Sequence, residues 1–307
     1  MSSYFWSSTS STDPTVGANW TKSDGTTGAA PANGDDVYIQ AIPGVVLANI
    51  AAADMSGVTL NSLTISQTFA GTIGTADTTS GAYFGYWKIG ATTWTIGAPS
   101  ADGITYSGSG RIKLNFGSAA FTGTVIATGS SADEGAEPVR IVGSNSASKL
   151  AVLGGRVGVA TNLPGETATL GEVDLAGSGA ICNLGPGVTW TTANVAGGGT
   201  LTLNSGSSGA LSVASGASAF VQGPAAVATV NAGGNLTLNH RPASGAGITT
   251  LNLYPTGTAD FSGNPAAITV STVNHYRGGV ISANPANPSH LTVTTRNLVN
   301  CGTLTSS

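Results

Sequence analysis

The sequence predicts an all-β protein: a parallel β-helix (β-solenoid) with coils of about 20 residues and an aromatic-rich cap region at its N-terminal end. Three observations predict it. No stretch keeps an apolar 3.6-residue period for three helical turns, whereas short period-two runs recur throughout, cut by Gly, Asn, Pro or Ser. The second half of the chain repeats itself at a near-constant offset. Glycine makes up 45 of 307 residues and only 8% are charged, about twice and about a third of ordinary usage. With 40% hydrophobic residues, such a chain orders a core and covers it with Ser, Thr, Asn, Ala and Gly.

The first element is the cap. Tyr4, Phe5, Trp6, Trp20, Tyr38, Phe69, Tyr83, Phe84, Tyr86, Trp87 and Trp94 all fall in the first hundred residues. A solenoid's first coil exposes an apolar end and needs a cover. Residues 1–57 are therefore read as a cap and attachment segment and 58–307 as the solenoid, with Trp6 and Trp20 as the plug. In "PANGDDVYI" (31–39), a turn leads into a strand on which Val37 and Ile39 face inward together. Adjacent strand residues point to opposite faces, so Asp35 and Asp36 cannot share one metal ion or one proton. One is expected to cap the turn's backbone N–H groups, the other to face solvent or a partner. One or two helical turns are expected over Ala48–Met55.

The strands follow: "VTLNSLTI" (58–65), "YWKI" (86–89), "TWTI" (93–96), "RIKLNF" (111–116), "TVIAT" (124–128), "PVRIV" (138–142), "LTLN" (201–204) and "LTVTT" (291–295). A β-sandwich competes only early, because the hairpin pairs "DG" (24–25), "NG" (33–34) and "DG" (102–103) stop there. From residue 105 onward the solenoid stands without that rival. "TLGEVDLAGSGAICNL" (169–184) aligns with "TWTTANVAGGGTLTLN" (189–204) at an offset of 20, putting Thr169 on Thr189, Val173 on Ala193, Leu175 on Val195, Gly179 on Gly199 and Ile181 on Leu201. Looser copies begin at residues 211, 228, 250, 268 and 291. Gly and Asn are expected where the chain turns at positive φ.

Composition also excludes functions. The net charge is −4 with no basic stripe, so nucleic acid is not an expected partner. No basic and apolar leader opens the chain, and its longest apolar run (41–53) is too short to span a membrane. Between Leu175 and the end only Arg241, Asp260, Arg277 and Arg296 are charged, which points to a member of an assembly. Cys182 and Cys301 lie in no metal-ligand pattern and read as buried apolar groups.

For chemistry, the best carboxylate pair is Glu172 and Asp174, on one strand face at i, i+2. A glycan-cleaving β-helix needs two such groups, but a solvated strand face accounts for them. Asp133, Glu134 and Glu137 in "SSADEGAEPV" read as a solvated loop lacking an EF-hand's alternating ligands. His240, His275 and His290 are scattered one per coil. His240 and His275, in "NHR" and "NHYR", are read as subunit or partner contacts rather than metal ligands. No nucleophile, phosphate-loop or HExxH motif is present. No cofactor and no enzymatic activity are expected.

The segment "YFW…TVGANWTKSDGTTGAAPANGDDVYI" (4–39) resembles the start of many tailed-bacteriophage virion structural proteins with a parallel β-helix, and of some bacterial surface β-helix proteins. Trp6, Asn19, Trp20, Pro31, Asp35, Asp36 and Val37 carry the match. The usual "GTW" before "NW" is replaced by "STDPTVGA". Beyond residue 39, likeness to pectin-lyase-like or autotransporter-like β-helices lies in period and composition alone. The resemblance implies a virion structural protein: a capsid decoration (cement) protein, expected as a homotrimer contacting the major capsid protein or other virion proteins. The alternative it implies is a tail spike or fibre that binds, and possesses or lacks the means to cleave, host surface polysaccharide. It brings no catalytic residues with it.

Overall fold

The computed structural model describes residues 1–74, 76–77, 83–98, 112–126, 137–161, 164–204, 209–223, 227–238, 245–264, 267–283, 285–286 and 290–299. The described chain is nearly all-β, and its helix content is a 3-10 turn at Gly17–Asn19. It is a parallel β-helix. A long row of strands stacks Asp36–Ile39, Ala53–Ser66, Trp87–Ala98, Thr122–Val125, Ser144–Val152, Ala168–Leu175, Val188–Val195, Ala210–Val213, Val227–Ala232, Gly245–Leu253, Ile268–Tyr276 and Leu291–Val299. A short row stacks Ile112–Asn115, Val139–Val142, Arg156–Val159, Ile181–Leu184, Thr200–Leu203, Ser218–Val221, Asn235–Thr237, Thr258–Asp260 and Val280–Ser282. The chain alternates between rows, so hydrogen-bonded neighbours lie one coil apart.

The period-two pattern becomes continuous lines of buried side chains along the rod. In the long row, Tyr4, Val37, Leu63, Trp94, Gly123, Leu150, Val173, Ala193, Leu211, Val230, Leu251 and Val273 share one register line, and Arg296 takes its last described position. At about 4.8 Å per coil, that line is about 58 Å long. A second line, two residues on, runs from Ile39 through Ile65, Ile96, Val125, Val152, Leu175, Val195, Val213, Ala232 and Leu253 to His275 and Leu298. The short row contributes Ile112, Val139, Val157, Cys182, Leu201, Ala219, Leu236, Ala259 and Ile281. Cys182 is fully buried there, as its apolar reading requires. Burial, and then the charge of Glu137, push its thiol pKa up. Cys301 lies outside the described residues.

At the N-terminal end, β1 (Ser3–Trp6) pairs antiparallel with β2 (Trp20–Lys22) and parallel with β3 (Asp36–Ile39). The stack is closed there by a three-residue antiparallel strand whose Lys22 ammonium lies 5.5 Å from the Tyr4 ring centroid. Short edge strands bearing lysine resist further pairing. The expected boundary at 57/58 falls inside β4 (Ala53–Ser66), which runs through it unbroken.

Three local expectations are corrected. Ala48–Met55 is not helical: Ile50 bridges Ile73 in parallel, donating to Thr72 O at 2.8 Å and accepting from Gly74 N at 2.9 Å, so its backbone bonds run between coils. The runs 86–89 and 93–96 join in one strand, Trp87–Ala98. There the buried phase shifts between Ala91 and Trp94, and the paired strand makes the same three-residue step between buried Leu60 and Leu63. The turn expected before Val37 is present at 33–34, and it forms no hairpin, because the strand after it pairs in parallel. Finally, the offset of 20 holds for Thr169, Val173 and Leu175 but becomes 19 in the short row, where Cys182, not Ile181, stands on Leu201. The turn 176–180 is one residue longer than 196–199. The alternation then decides which residues enter the core, since a one-residue slip would exchange faces.

Inside the first coils the aromatics form two groups. Trp6 packs edge-on against Trp20 at 5.0 Å, and Trp20 lies 6.3 Å from Trp87. Deeper in the stack, Trp94 stacks on Phe116 at 5.1 Å, with Phe121 at 5.6 Å. Gly123, next to Trp94 in the inward line, leaves the space its indole fills: a Cβ there would stand 2.0 Å from Trp94 Cζ2.

Candidate functional site

The N-terminal cap residues meet in one place. Asp35 is 7% exposed; its Oδ1 accepts from Ser2 N at 2.8 Å and its Oδ2 from Ala32 N at 3.0 Å. Asp36 faces the other way, accepting at Oδ1 from Ser62 Oγ at 2.5 Å and Asn61 Nδ2 at 2.8 Å. Those bonds, Ser62's above all, hold its carboxyl below the usual range. Trp6 Nε1 donates to Ala48 O at 2.9 Å and Trp20 Nε1 to Pro14 O at 2.8 Å. Asn19, buried beside them, donates to Ser11 Oγ at 2.8 Å and Asp13 O at 2.7 Å, tying down the loop before it. Asp35→Ala, which strands two backbone donors, is expected to lower stability by about 1–3 kcal/mol. An unchanged urea midpoint would contradict this capping role.

The carboxylate pair is engaged between coils. Glu172 Oε2 lies 2.6 Å from Lys149 Nζ and raises the lysine's pKa. Asp174 Oδ1 accepts from Asn194 Nδ2 at 2.8 Å. Both carboxylates sit on the outward side of their strand, flanking buried Val173. Asp133, Glu134 and His240 lie outside the described residues. Glu137 does not float in solvent: Oε1 accepts from Asn183 Nδ2 at 2.6 Å, Oε2 accepts from Thr161 Oγ1, and Arg140 Nε lies 3.6 Å away. Nearby, Tyr86 donates its hydroxyl to Glu166 Oε1 at 2.8 Å, and burial raises the phenol's pKa. Among the described residues no group of three or more His, Cys, Asp or Glu could hold a metal ion.

His275 falls on the second inward line near the end of the stack. Its Nε2 contacts Gly279 O at 2.7 Å and its Nδ1 contacts Arg296 Nη2 at 2.7 Å. A carbonyl accepts and a guanidinium donates, which assigns the Nε2–H tautomer. His290 contacts Asn264 O through Nδ1 at 3.4 Å.

Sequence reasoning missed an extended surface feature. Along the outer face of the long row, Asp174, Asn194, Ser212, Asn231, Asn252, Asn274 and Asn297 share one register line. Their side chains bond from coil to coil: Asn231 to Ser212 at 3.3 Å, Asn252 to Asn231 at 2.8 Å, Asn274 to Asn252 at 2.8 Å and Asn297 to Asn274 at 2.9 Å. Two residues before each asparagine of the line, Thr192, Thr229, Thr250, Thr272 and Thr295 flank the ladder. The tripeptide Thr-X-Asn at 192, 229, 250, 272 and 295 was the available signal. Beside the ladder, after the second inward line, Ala196, Ala214 and Gly233 line a shallow groove of about 290 Å³ that ends at Tyr254. Tyr254 stacks on Tyr276 at 4.9 Å.

The chain matches no protein-family model, no curated protein and no solved structure among those compared.

Proposed function

We propose that the chain is a non-enzymatic structural protein of a bacteriophage virion, a capsid decoration (cement) protein that binds and stabilises the outside of the head, assembled as a trimer. The observation that carries this reading is the use made of the carboxylates. Glu172, Asp174 and Glu137, the acids nearest to a catalytic arrangement, are engaged in bonds that join different coils. They brace a rod whose outer face is a row of hydroxyls and amides. The pattern Trp6, Asn19, Trp20, Asp35 and Asp36, on which the likeness to virion proteins rests, supplies the cap that closes one end.

Copy number in purified virions tests the assignment. Abundance comparable to the major capsid protein is expected; an abundance matching tail components would overturn it. Light scattering should show a trimer, and a stable monomer at micromolar concentration would count against assembly. The purified protein should release no reducing sugar from host polysaccharide. Glu172→Gln with Asp174→Asn should leave the fold intact and cost less than about 1 kcal/mol, because exposed pairs contribute little. Sugar release by the native protein that this double variant abolishes would defeat the non-enzymatic reading.

A further inference from the structure

We propose that the groove ending at Tyr254 binds the pyranose rings of a neutral polysaccharide. Its floor is apolar and built of small residues, Ala196, Ala214 and Gly233, on successive coils. Asn194 and Asn231 stand at its rim. One face of Tyr254 is covered by Tyr276, with ring centroids 4.9 Å apart and planes 24° apart. The opposite face looks toward the preceding coil, where register places Gly233. A glycine there keeps the slot open: an added Cβ would meet nothing nearer than Val213 O at 3.4 Å.

That arrangement suits a sugar. A pyranose presents C–H groups on its ring faces and hydroxyls around its edge. The faces match an exposed aromatic ring and an alanine floor, and the hydroxyls need groups that both donate and accept. Asn231 provides them: its amide bonds Ser212 through one N–H and Asn252 through one lone pair, leaving one donor and one acceptor. At about 290 Å³ the groove is at the small end of ligand sites, with room for about one ring. The ladder continues past it on either side, so a chain finds further partners that a monosaccharide does not. No charged side chain lines the groove, so an anionic polymer gains no ion pair from its walls.

Calorimetric titration of the full chain with hexasaccharides of dextran, mannan and galactan tests this, with oligogalacturonate as the anionic arm. At least one neutral hexasaccharide should bind, more tightly than its monosaccharide. Tyr254→Ala should weaken it by roughly tenfold or more. Gly233→Leu, which fills the slot from its floor without entering the core, should do the same, and neither should shift the thermal midpoint appreciably. The proposal is overturned if no neutral hexasaccharide binds, if only oligogalacturonate binds, or if both variants bind as the native protein does. It does not rest on the virion assignment, since virion copy number and glycan titration can fail separately.

Discussion

Trp20→Ala is expected to destabilise the protein by about 3–5 kcal/mol, as large-to-small changes of buried aromatics do. Trp20 is 0% exposed, meets Trp6 edge-on and reaches Trp87, and donates to Pro14 O. It belongs to β2, the strand that ends the stack, so the void cannot be refilled from outside. In a solenoid each coil contacts only its neighbours, and the damage should therefore be local. Hydrogen exchange should accelerate over residues 3–39 and remain nearly native over 211–253. Uniform acceleration along the chain would show that the cap is coupled to the whole rod, against the near-neighbour picture.

Gly123→Ala should also destabilise the protein, from a single methyl group. The added Cβ would lie 2.0 Å from Trp94 Cζ2, and Trp94 has little freedom to retreat, being packed against both Phe116 and Phe121, which also touch each other. Overpacking of this kind typically costs about 1–3 kcal/mol, occasionally more. The diagnostic is coupling. Trp94→Leu alone should destabilise by opening a cavity, whereas Gly123→Ala with Trp94→Leu should be more stable than the sum of the two single losses predicts. Additive losses in urea denaturation would mean that the indole does not occupy the space above Gly123.

The fold was legible because its signals are local and repeated. Period-two alternation and the near-20 offset each report the coil directly, and the Gly/Ser/Thr surface follows from turns and a narrow interior. Turn lengths were not legible. Whether Ile181 or Cys182 enters the core depends on one residue in the turn before it, which composition does not reveal. Asparagine was misassigned for a similar reason. It commonly adopts positive φ, yet among the described residues the single non-glycine at positive φ is Ala160. The asparagines instead stack side by side, a role that appears only once the coils are in register. The Asp35 and Asp36 arrangement was readable from adjacency alone, because neighbours on a strand must part company. Tyr254 and Gly233 were not, since they are 21 residues apart in sequence and become neighbours only through the pairing of Ala232 with Leu253.

The inward lines change character at their last described positions. From Tyr4 to Val273 the line offers each next coil an apolar surface, and covering it is favourable. Arg296 then sets a guanidinium in that line, hydrogen-bonded to His275. Desolvating an ion without a countercharge costs several kcal/mol. Any segment laid on that coil with hydrocarbon alone is therefore disfavoured, whereas one bringing an anion or leaving the guanidinium wet is accepted. The substitution acts as a filter on what stacks there, set by charge rather than by shape.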